Sequence, residues 1–392
     1  MSRRRQPRGG LAEVLAGRQV VVCCGSGGVG KTTVSAAIAL GLAARGGRVA
    51  VVTIDPARRL ASALGMEDLR DEARPVPAET AAAAGITLRG ELWALQLDPK
   101  ATFDRLVTRE APDEQAAEQI LANRIYQHLS GSLGGAHEYM AVERLHELME
   151  EERFDVVVLD TPPTANALDF LDAPQRITRF IEGRALRLLL RPAKAGGGLG
   201  LKALRMGSTM VLSLLERLTG AQLLRDVAEF LASFDGMYAG FRDRAEAVRV
   251  LLHSQRTSFV VVSGPAQEPI REAVSLWRRL HQDDFPLGAI VLNRVHELPA
   301  GGSVRAEVLE EALAAAGAAD AAGLAARASA ALEEARLQAL RDVDALEGLR
   351  HALGDPPITT VRALVRDPVE LEGLARVTRE LLPGSLPAPA PA

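Results

Sequence analysis

The clearest chemistry in this 392-residue sequence lies in one short segment, Gly25-Ser26-Gly27-Gly28-Val29-Gly30-Lys31-Thr32-Thr33. Its small residues let consecutive backbone N–H groups turn inward around phosphate oxygens, because glycine tolerates the conformations that this requires. Lys31 supplies a positive charge for the β- and γ-phosphates, and the Thr32 hydroxyl can ligate magnesium. A helix that begins here also points the positive end of its dipole at the anion. The segment therefore predicts a phosphate-binding loop (P-loop) for ATP with Mg²⁺.

Two aspartates at the ends of apolar runs could complete such a site. Asp160 follows VVVL, and Asp55 follows VAVVTI and precedes Pro56. In open α/β sheets, ligands bind outside the carboxyl ends of parallel strands. We predict that Asp160 holds the metal ion through water and that Asp55 orients the attacking water. The alternative for Asp55 is a helix N-cap, since a proline at the first helical position commonly follows such a cap.

The elements that must position these residues are short apolar runs separated by helical periodicity. The predicted strands are 19–24, 48–55, 92–97, 154–160, 259–263, 287–295 and 358–364. Apolar runs that are continuous rather than alternating indicate strands that are buried on both faces. The sequence therefore predicts an α/β fold, a doubly wound, mostly parallel sheet, in a single P-loop ATPase domain over residues 15–382.

Three helical stretches interrupt this rhythm. The first two, at about 101–152 and 183–255, are predicted to be insertions that form an α-helical subdomain, and the third, 304–353, is predicted to face solvent. Within 199–238 the apolar residues, Met206 and Met210 among them, form two stripes around one helix. Two stripes indicate either burial on all sides or a surface for a partner, and methionine is common at adaptable binding surfaces. The Pro/Ala segment 383–392 is predicted to be disordered.

Composition limits the classes of function. Hydrophobic residues make up 47% and charged residues 24%, as in a soluble globular protein, and the formal net charge of -4 gives no attraction to nucleic acid. The two cysteines, Cys23 and Cys24, are adjacent in a predicted strand, so their side chains should point to opposite faces without a disulfide. We find neither a signal peptide nor an apolar run that approaches the roughly 20 residues of a membrane span. We therefore expect a cytoplasmic protein.

The glycine loop, Asp-Pro-Ala at 55–57 and Asp-Thr-Pro-Pro-Thr at 160–164 together resemble the arsenite-pump ATPase (ArsA) and tail-anchored-protein targeting ATPase family, in the deviant Walker A class. The resemblance extends over about residues 18–380. It implies that Asn293 binds adenine, that Ala363 and Leu364 belong to the adenine-side loop, and that Asp55 is the switch I aspartate. It also implies that 160–167 is switch II, and that two copies close around two ATP molecules beneath a helical subdomain.

The sequence departs from the pattern of this family at three places. Ser26 stands where the family has a lysine that reaches the partner's ATP, and Arg58 and Arg59 are candidates to replace that lysine, although each could equally be an ordinary surface residue. The Cys-x-x-Cys pair that binds zinc in the targeting ATPases is missing, so we expect no zinc. The distant cysteines that bind arsenite in the pumps are missing as well.

We therefore expect a Mg²⁺-dependent ATPase that switches a dimer, either a homodimer or a heterodimer with a paralogue. Its apolar helical subdomain would capture or deliver a hydrophobic protein client or a membrane-associated partner. The alternatives are a ParA/MinD-like positioning ATPase, a subunit of a metalloid-efflux ATPase, and a scaffold that binds ATP without turnover. The intact Asp55 and Asp160 weigh against the scaffold, and Ser26 weighs slightly for it.

Overall fold

The computed structural model of the protein describes residues 10–55, 57–124, 126–127, 136–161, 238–299, 304–364 and 370–387. Eight strands in these ranges form one sheet. They are β1 Val20–Gly25, β2 Arg48–Thr53, β3 Arg74–Pro75, β4 Glu91–Gln96, β5 Val156–Asp160, β6 Thr257–Ser263, β7 Leu287–Val295 and β8 Ile358–Arg362. Their order across the sheet is β3-β4-β2-β5-β1-β6-β7-β8.

All neighbouring strands run parallel except β3 and β4, which pair antiparallel. The predicted α/β fold with a mostly parallel sheet is confirmed. The sequence did not predict β3, because two exposed residues are too few to form an apolar run. The chain leaves β1 toward β2 on one side and later returns to add β6 on the other side. The carboxyl end of β1 is therefore a topological switch point, where open α/β sheets bind their ligands.

The helices cover both faces of this sheet. Their bounds are α1 Leu11–Leu15, α2 Lys31–Ala44, α3 Arg59–Ala63, α4 Ala78–Ala83, α5 Pro99–Glu110, α6 Glu114–Ala122, α7 Ala136–Glu150, α8 Tyr238–His253, α9 Gln267–Gln282, α10 Ala306–Ala315, α11 Ala321–Leu353 and α12 Leu371–Leu381. Residues of α1, α2 and α12 pack on one face, and residues of α7, α8 and α9 pack on the other.

The strand β1 shows why the apolar runs are continuous. Val21 and Cys23 belong to the hydrophobic cluster on one face of the sheet, and Val22 and Cys24 belong to the cluster on the other. Both faces of the strand therefore need apolar side chains. The two cysteines point to opposite faces, as expected, and both are buried and free.

The predicted helical stretches fall partly outside the described residues. Helices α6 and α7 and most of α5 lie in the predicted insertion at 101–152, and α8 lies in the described part of the insertion at 183–255. The doubly striped segment that contains Met206 and Met210 lies outside the described ranges. The stretch 304–353 divides into α10, which has no buried residue, and the long α11. Among the described helices, none is long and apolar enough to cross a membrane.

The packed chain extends beyond the predicted start of the disordered tail at residue 383. Leu386 is 7% exposed and belongs to the hydrophobic cluster beside α12. The Pro383 carbonyl also accepts a hydrogen bond from Arg45. The tail prediction is therefore wrong for 383–387, because an apolar side chain in this Pro/Ala-rich segment finds a place in the core. Residues 388–392 lie outside the described residues.

Candidate functional site

The glycine loop connects the carboxyl end of β1 to the first residue of α2, as a phosphate-binding loop requires. Gly28 and Gly30 have φ angles of 76° and 90°, in the left-handed region that favours glycine. A Cβ on Gly25 would overlap the Val262 carbonyl oxygen, and one on Gly30 would overlap the side-chain amide of Asn293. The loop therefore needs glycine at these places both for its conformation and for its close contacts.

Lys31 opens helix α2 directly after this loop and is only 6% exposed. Its Nζ donates a hydrogen bond to the backbone carbonyl of Ser26, 2.7 Å away. Burial lowers the pKa of Lys31, while the nearby carboxylate of Asp160 raises it. The lysine therefore lies folded over the loop, where a bound anion would be a stronger partner than a single carbonyl.

Asp160 lies at the end of β5 and is 1% exposed. Its Oδ2 accepts hydrogen bonds from Thr32 Oγ1 at 2.7 Å and from Thr53 Oγ1 at 2.9 Å. Its Oδ1 is buried and has no hydrogen-bond partner among the described residues. Burial raises the pKa of Asp160 to about 6, although both threonine hydroxyls and Lys31 lower it. An ionised oxygen without a partner, beside a threonine hydroxyl, fits a site for a divalent cation or its water.

Asp55 lies two residues beyond the end of β2, on the same side of the site. Its backbone N–H donates to Thr53 Oγ1 at 3.2 Å, and its Oδ1 accepts from the N–H of Ala57 at 2.9 Å. Helix α3 begins at Arg59 with Arg58 as its N-cap residue, so Asp55 is not the cap of that helix. The Asp55 carboxylate therefore closes the turn that precedes α3 and keeps its second oxygen close to the Arg59 guanidinium, 3.9 Å away.

A cleft of about 260 Å³ continues from the end of the glycine loop toward β7 and β8. Five of the predicted nucleotide-binding residues line it, namely Gly30, Thr33, Asn293, Ala363 and Leu364. Asn293 is 5% exposed, and its Nδ2 donates to the Val29 carbonyl at 2.8 Å. The structure therefore brings residues from three distant parts of the sequence to one side of the P-loop. Their roles toward a nucleotide remain predictions.

Three further polar residues of this region were not predicted from the sequence. Thr53 bonds to both Asp160 and Asp55, and a polar side chain at the end of a buried strand was the signal that could have found it. Arg294 donates to the Gly28 carbonyl at 3.2 Å. His296 lines the cleft, and its Nδ1 lies 2.8 Å from Asp342 Oδ2 on α11. Nothing in the local sequence indicates the contact of His296 with a helix nearly fifty residues away.

A comparison with known proteins identifies the family of this chain. The family model described as anion-transporting ATPase (ArsA) matches residues 18–301, which is well over half of the chain. The chain belongs to the ArsA family. The resemblance predicted from the loop and the two aspartates is therefore confirmed.

Individual relatives match the chain over regions of different length. The chain is 32% identical over 151 residues to the ATPase get3 of Aspergillus terreus, a region that covers 38% of this chain and 41% of the relative. It is 28% identical over 185 residues to the ATPase GET3 of Malassezia globosa, covering 45% and 51%. It is 29% identical over 298 residues to the ATPase ARSA1 of Chlamydomonas reinhardtii, covering 71% and 35%. The chain thus spans about half or less of the length of these relatives.

Proposed function

We propose that this ArsA-family chain binds ATP with Mg²⁺ at the glycine loop and hydrolyses it. The observation that carries the proposal is the position of Asp160, a buried carboxylate with one unpartnered oxygen, bonded directly to the P-loop residue Thr32. Burial of this carboxylate is costly even beside Lys31, since its pKa stays raised, and proteins keep such a group mainly where function needs it. A divalent cation would supply a compensating charge.

The loop supplies the groups that an ATP phosphate chain needs. Within the described part of the chain, neither the Val29 N–H nor the Gly30 N–H makes a backbone hydrogen bond of ordinary geometry. Helix α2 begins at Lys31, so its positive dipole end faces the same space. Lys31 can exchange the Ser26 carbonyl for a phosphate oxygen by a short movement of its side chain.

The two aspartates then have different tasks. Thr32 and Asp160 would hold Mg²⁺, which when bound neutralises charge on the phosphates. Asp55 is less buried than Asp160, with 18% of its side chain exposed, so water can reach it. Its carboxylate would orient a water molecule toward the terminal phosphate. Thr53 Oγ1 donates to the Asp160 carboxylate and accepts from the Asp55 backbone N–H, so it links the two residues.

We propose further that ATP binding switches a dimer and its helical subdomain, so that a hydrophobic protein client is captured or delivered. Similarity to proteins named ATPase get3 supports this proposal. The site also supports it locally, because Thr161 follows the metal-site aspartate and donates through Oγ1 to the Cys23 carbonyl of β1, at 3.0 Å. A shift of Asp160 on metal binding would act first on Thr161, the residue from which the chain continues toward the predicted client region.

Transport of a metalloid anion is the second candidate function, since the matching family is described as anion-transporting. Soft trivalent metalloids need several thiolates that converge on one point. Here the two cysteines point to opposite faces of the sheet. Burial raises the pKa of Cys24 to about 12 and raises that of Cys23 as well, so both stay protonated. We therefore favour the client function.

Replacing Thr32 by Val tests the metal site, because valine keeps the shape and removes the hydroxyl. We expect wild-type ATP affinity to rise when Mg²⁺ is added, and we expect this rise to disappear in Thr32→Val while binding of metal-free ATP persists. Thr108→Val is the matched control, since the Thr108 hydroxyl bonds within α5 to the Asp104 carbonyl. An undiminished Mg²⁺ effect in Thr32→Val would contradict the proposed metal site.

Light scattering with ATP-loaded Asp55→Asn protein tests the proposed dimer. A protein that stays monomeric with ATP bound would exclude the dimer.

A further inference from the structure

Two neighbouring side chains at the end of β7 hold two successive carbonyl groups of the glycine loop. Asn293 Nδ2 donates to the Val29 carbonyl at 2.8 Å, and Arg294 Nη1 donates to the Gly28 carbonyl at 3.2 Å. These contacts join parts of the chain more than 260 residues apart in sequence. They lie on the cleft side of the loop, where Asn293 and Arg294 are both lining residues.

The backbone of β7 is distorted at this point. The pairing of β7 with β8 is regular through Leu292 and shifts in register before Val295. Arg294 has a φ angle of 63°, in the left-handed region that a long side chain rarely adopts. Such a conformation costs free energy and persists where the surrounding contacts require it, often at functional sites. Here its effect is that consecutive residues of one strand both reach the glycine loop.

Because the peptide group is planar, these two contacts also fix the directions of two backbone N–H donors. The C=O and N–H of a trans peptide point in opposite directions. Holding the Gly28 carbonyl therefore fixes the direction of the Val29 N–H, and holding the Val29 carbonyl fixes that of the Gly30 N–H. Among the described residues, neither N–H makes a backbone hydrogen bond of ordinary geometry, so both can donate to an anion. If either peptide flipped, a carbonyl oxygen would face the anion in place of a donor.

The fit between the loop and Asn293 is close. A Cβ on Gly30 would overlap Asn293 Nδ2, so residue 30 must be glycine for Asn293 to reach the Val29 carbonyl. Asn293 is almost completely buried, which keeps competing water away from its hydrogen bond.

We propose that Asn293 and Arg294 form a clamp that positions the phosphate-binding N–H groups of Val29 and Gly30. This inference rests on the proposed ATP site and adds to it a role for Asn293 that does not depend on the base. Arg294 is likewise a positioning residue, because it acts on the Val29 N–H through the Gly28 carbonyl. The clamp couples the phosphate end of the site to the cleft beside it, because the same two side chains form part of both.

Inorganic tripolyphosphate separates the clamp from base recognition, since it has the phosphate chain of ATP and no base. We expect Asn293→Ala to weaken tripolyphosphate binding roughly tenfold, the worth of one well-made hydrogen bond. The displacement of a fluorescent ATP analogue measures this affinity. If Asn293 contacted only the base, its replacement would weaken ATP binding and leave tripolyphosphate binding unchanged, which would overturn the clamp.

Arg294→Ala is the second variant, because Arg294 is exposed and its loss leaves the core intact. Its matched control is Arg278→Ala, which removes the same charge and another arginine contact to a backbone carbonyl, that of Ala352 at 3.1 Å. We expect weaker tripolyphosphate binding only in Arg294→Ala, and we expect the difference to persist at high salt, where distant charges are screened. Equal behaviour of the two arginine variants would overturn the role of Arg294.

The outcomes also distinguish the clamp from the ATP site itself. Loss of ATP binding in Lys31→Ala, together with unchanged tripolyphosphate binding in Asn293→Ala and Arg294→Ala, would leave the ATP site standing and remove the clamp. A wild-type protein that binds neither ATP nor tripolyphosphate would remove both. If wild-type protein bound ATP and not tripolyphosphate, the clamp alone would be excluded. N–H donors that are already in position should bind the phosphate chain without the base.

Discussion

The buried carboxylate of Asp160 should make the free energy of unfolding depend on pH, and comparison with Asp160→Asn should isolate this dependence. Burial raises its pKa from 3.8 to about 6 in the folded protein, and the unfolded chain should titrate at about 3.9. The folded state therefore binds this proton more tightly, and its contribution to stability, present at low pH, is lost as pH rises through about 6. A shift of about two pKa units means that the protein is about 3 kcal/mol less stable at neutral pH than at a pH below both pKa values.

In Asp160→Asn the amide keeps the shape of the side chain and can still accept from Thr32 and Thr53. Any cost of burying the amide is the same at every pH. The free energy of unfolding of the variant minus that of the wild type should therefore increase by about 1.4 kcal/mol between about pH 5 and about pH 7.5. Urea unfolding at several pH values, with a chelator and without nucleotide, measures this difference.

Asp155→Asn is the control. Hydrogen bonds from Arg48 lower the pKa of Asp155, so its carboxyl is ionised in both the folded and the unfolded state across this pH range. The corresponding difference for Asp155→Asn should therefore stay constant. If the difference for Asp160→Asn were equally constant, Asp160 would titrate like an ordinary solvated carboxyl group and burial would not raise its pKa.

Three further predictions follow from the site and from the sequence. Lys31→Ala should reduce ATP affinity by about 1.5–3 kcal/mol or more, because it removes a charge-assisted contact to phosphate, and unchanged affinity in a nucleotide titration would place the site elsewhere. Neither arsenite nor antimonite should stimulate phosphate release, and a several-fold activation by either anion would favour the transport alternative. Met206→Glu with Met210→Glu should leave thermal stability and ATP binding intact and eliminate client capture. A collapse of the melting temperature would instead show that these methionines belong to the core.

The sheet and the residues at its carboxyl edge could be predicted from the sequence because both depend on local patterns. Strands buried on both faces, such as β5, give continuous apolar runs, and a polar residue that ends such a run stands out, as Asp160 does. The glycine loop is recognisable for the same reason, since its conformation needs glycine at fixed places such as Gly28 and Gly30.

The contacts that connect this edge could not be predicted, because they depend on where distant elements meet. The sequence does not show the shift in register of β7 that turns Arg294 toward Gly28. The contact of His296 with Asp342 likewise depends on how α11 lies beside the sheet. The resemblance placed Asn293 near the nucleotide, and the hydrogen bond from Asn293 to Val29 required the structure.

Single-turnover hydrolysis by Asp55→Asn tests whether this site hydrolyses ATP with Asp55 directing the water. The amide keeps the turn with Ala57 and removes the negative charge, so ATP with Mg²⁺ should bind the variant about as tightly as the wild type. We expect wild-type protein in excess over ATP to release phosphate, and we expect Asp55→Asn with ATP bound to release none. Hydrolysis by Asp55→Asn at the wild-type rate would show instead that Asp55 only closes the turn before α3.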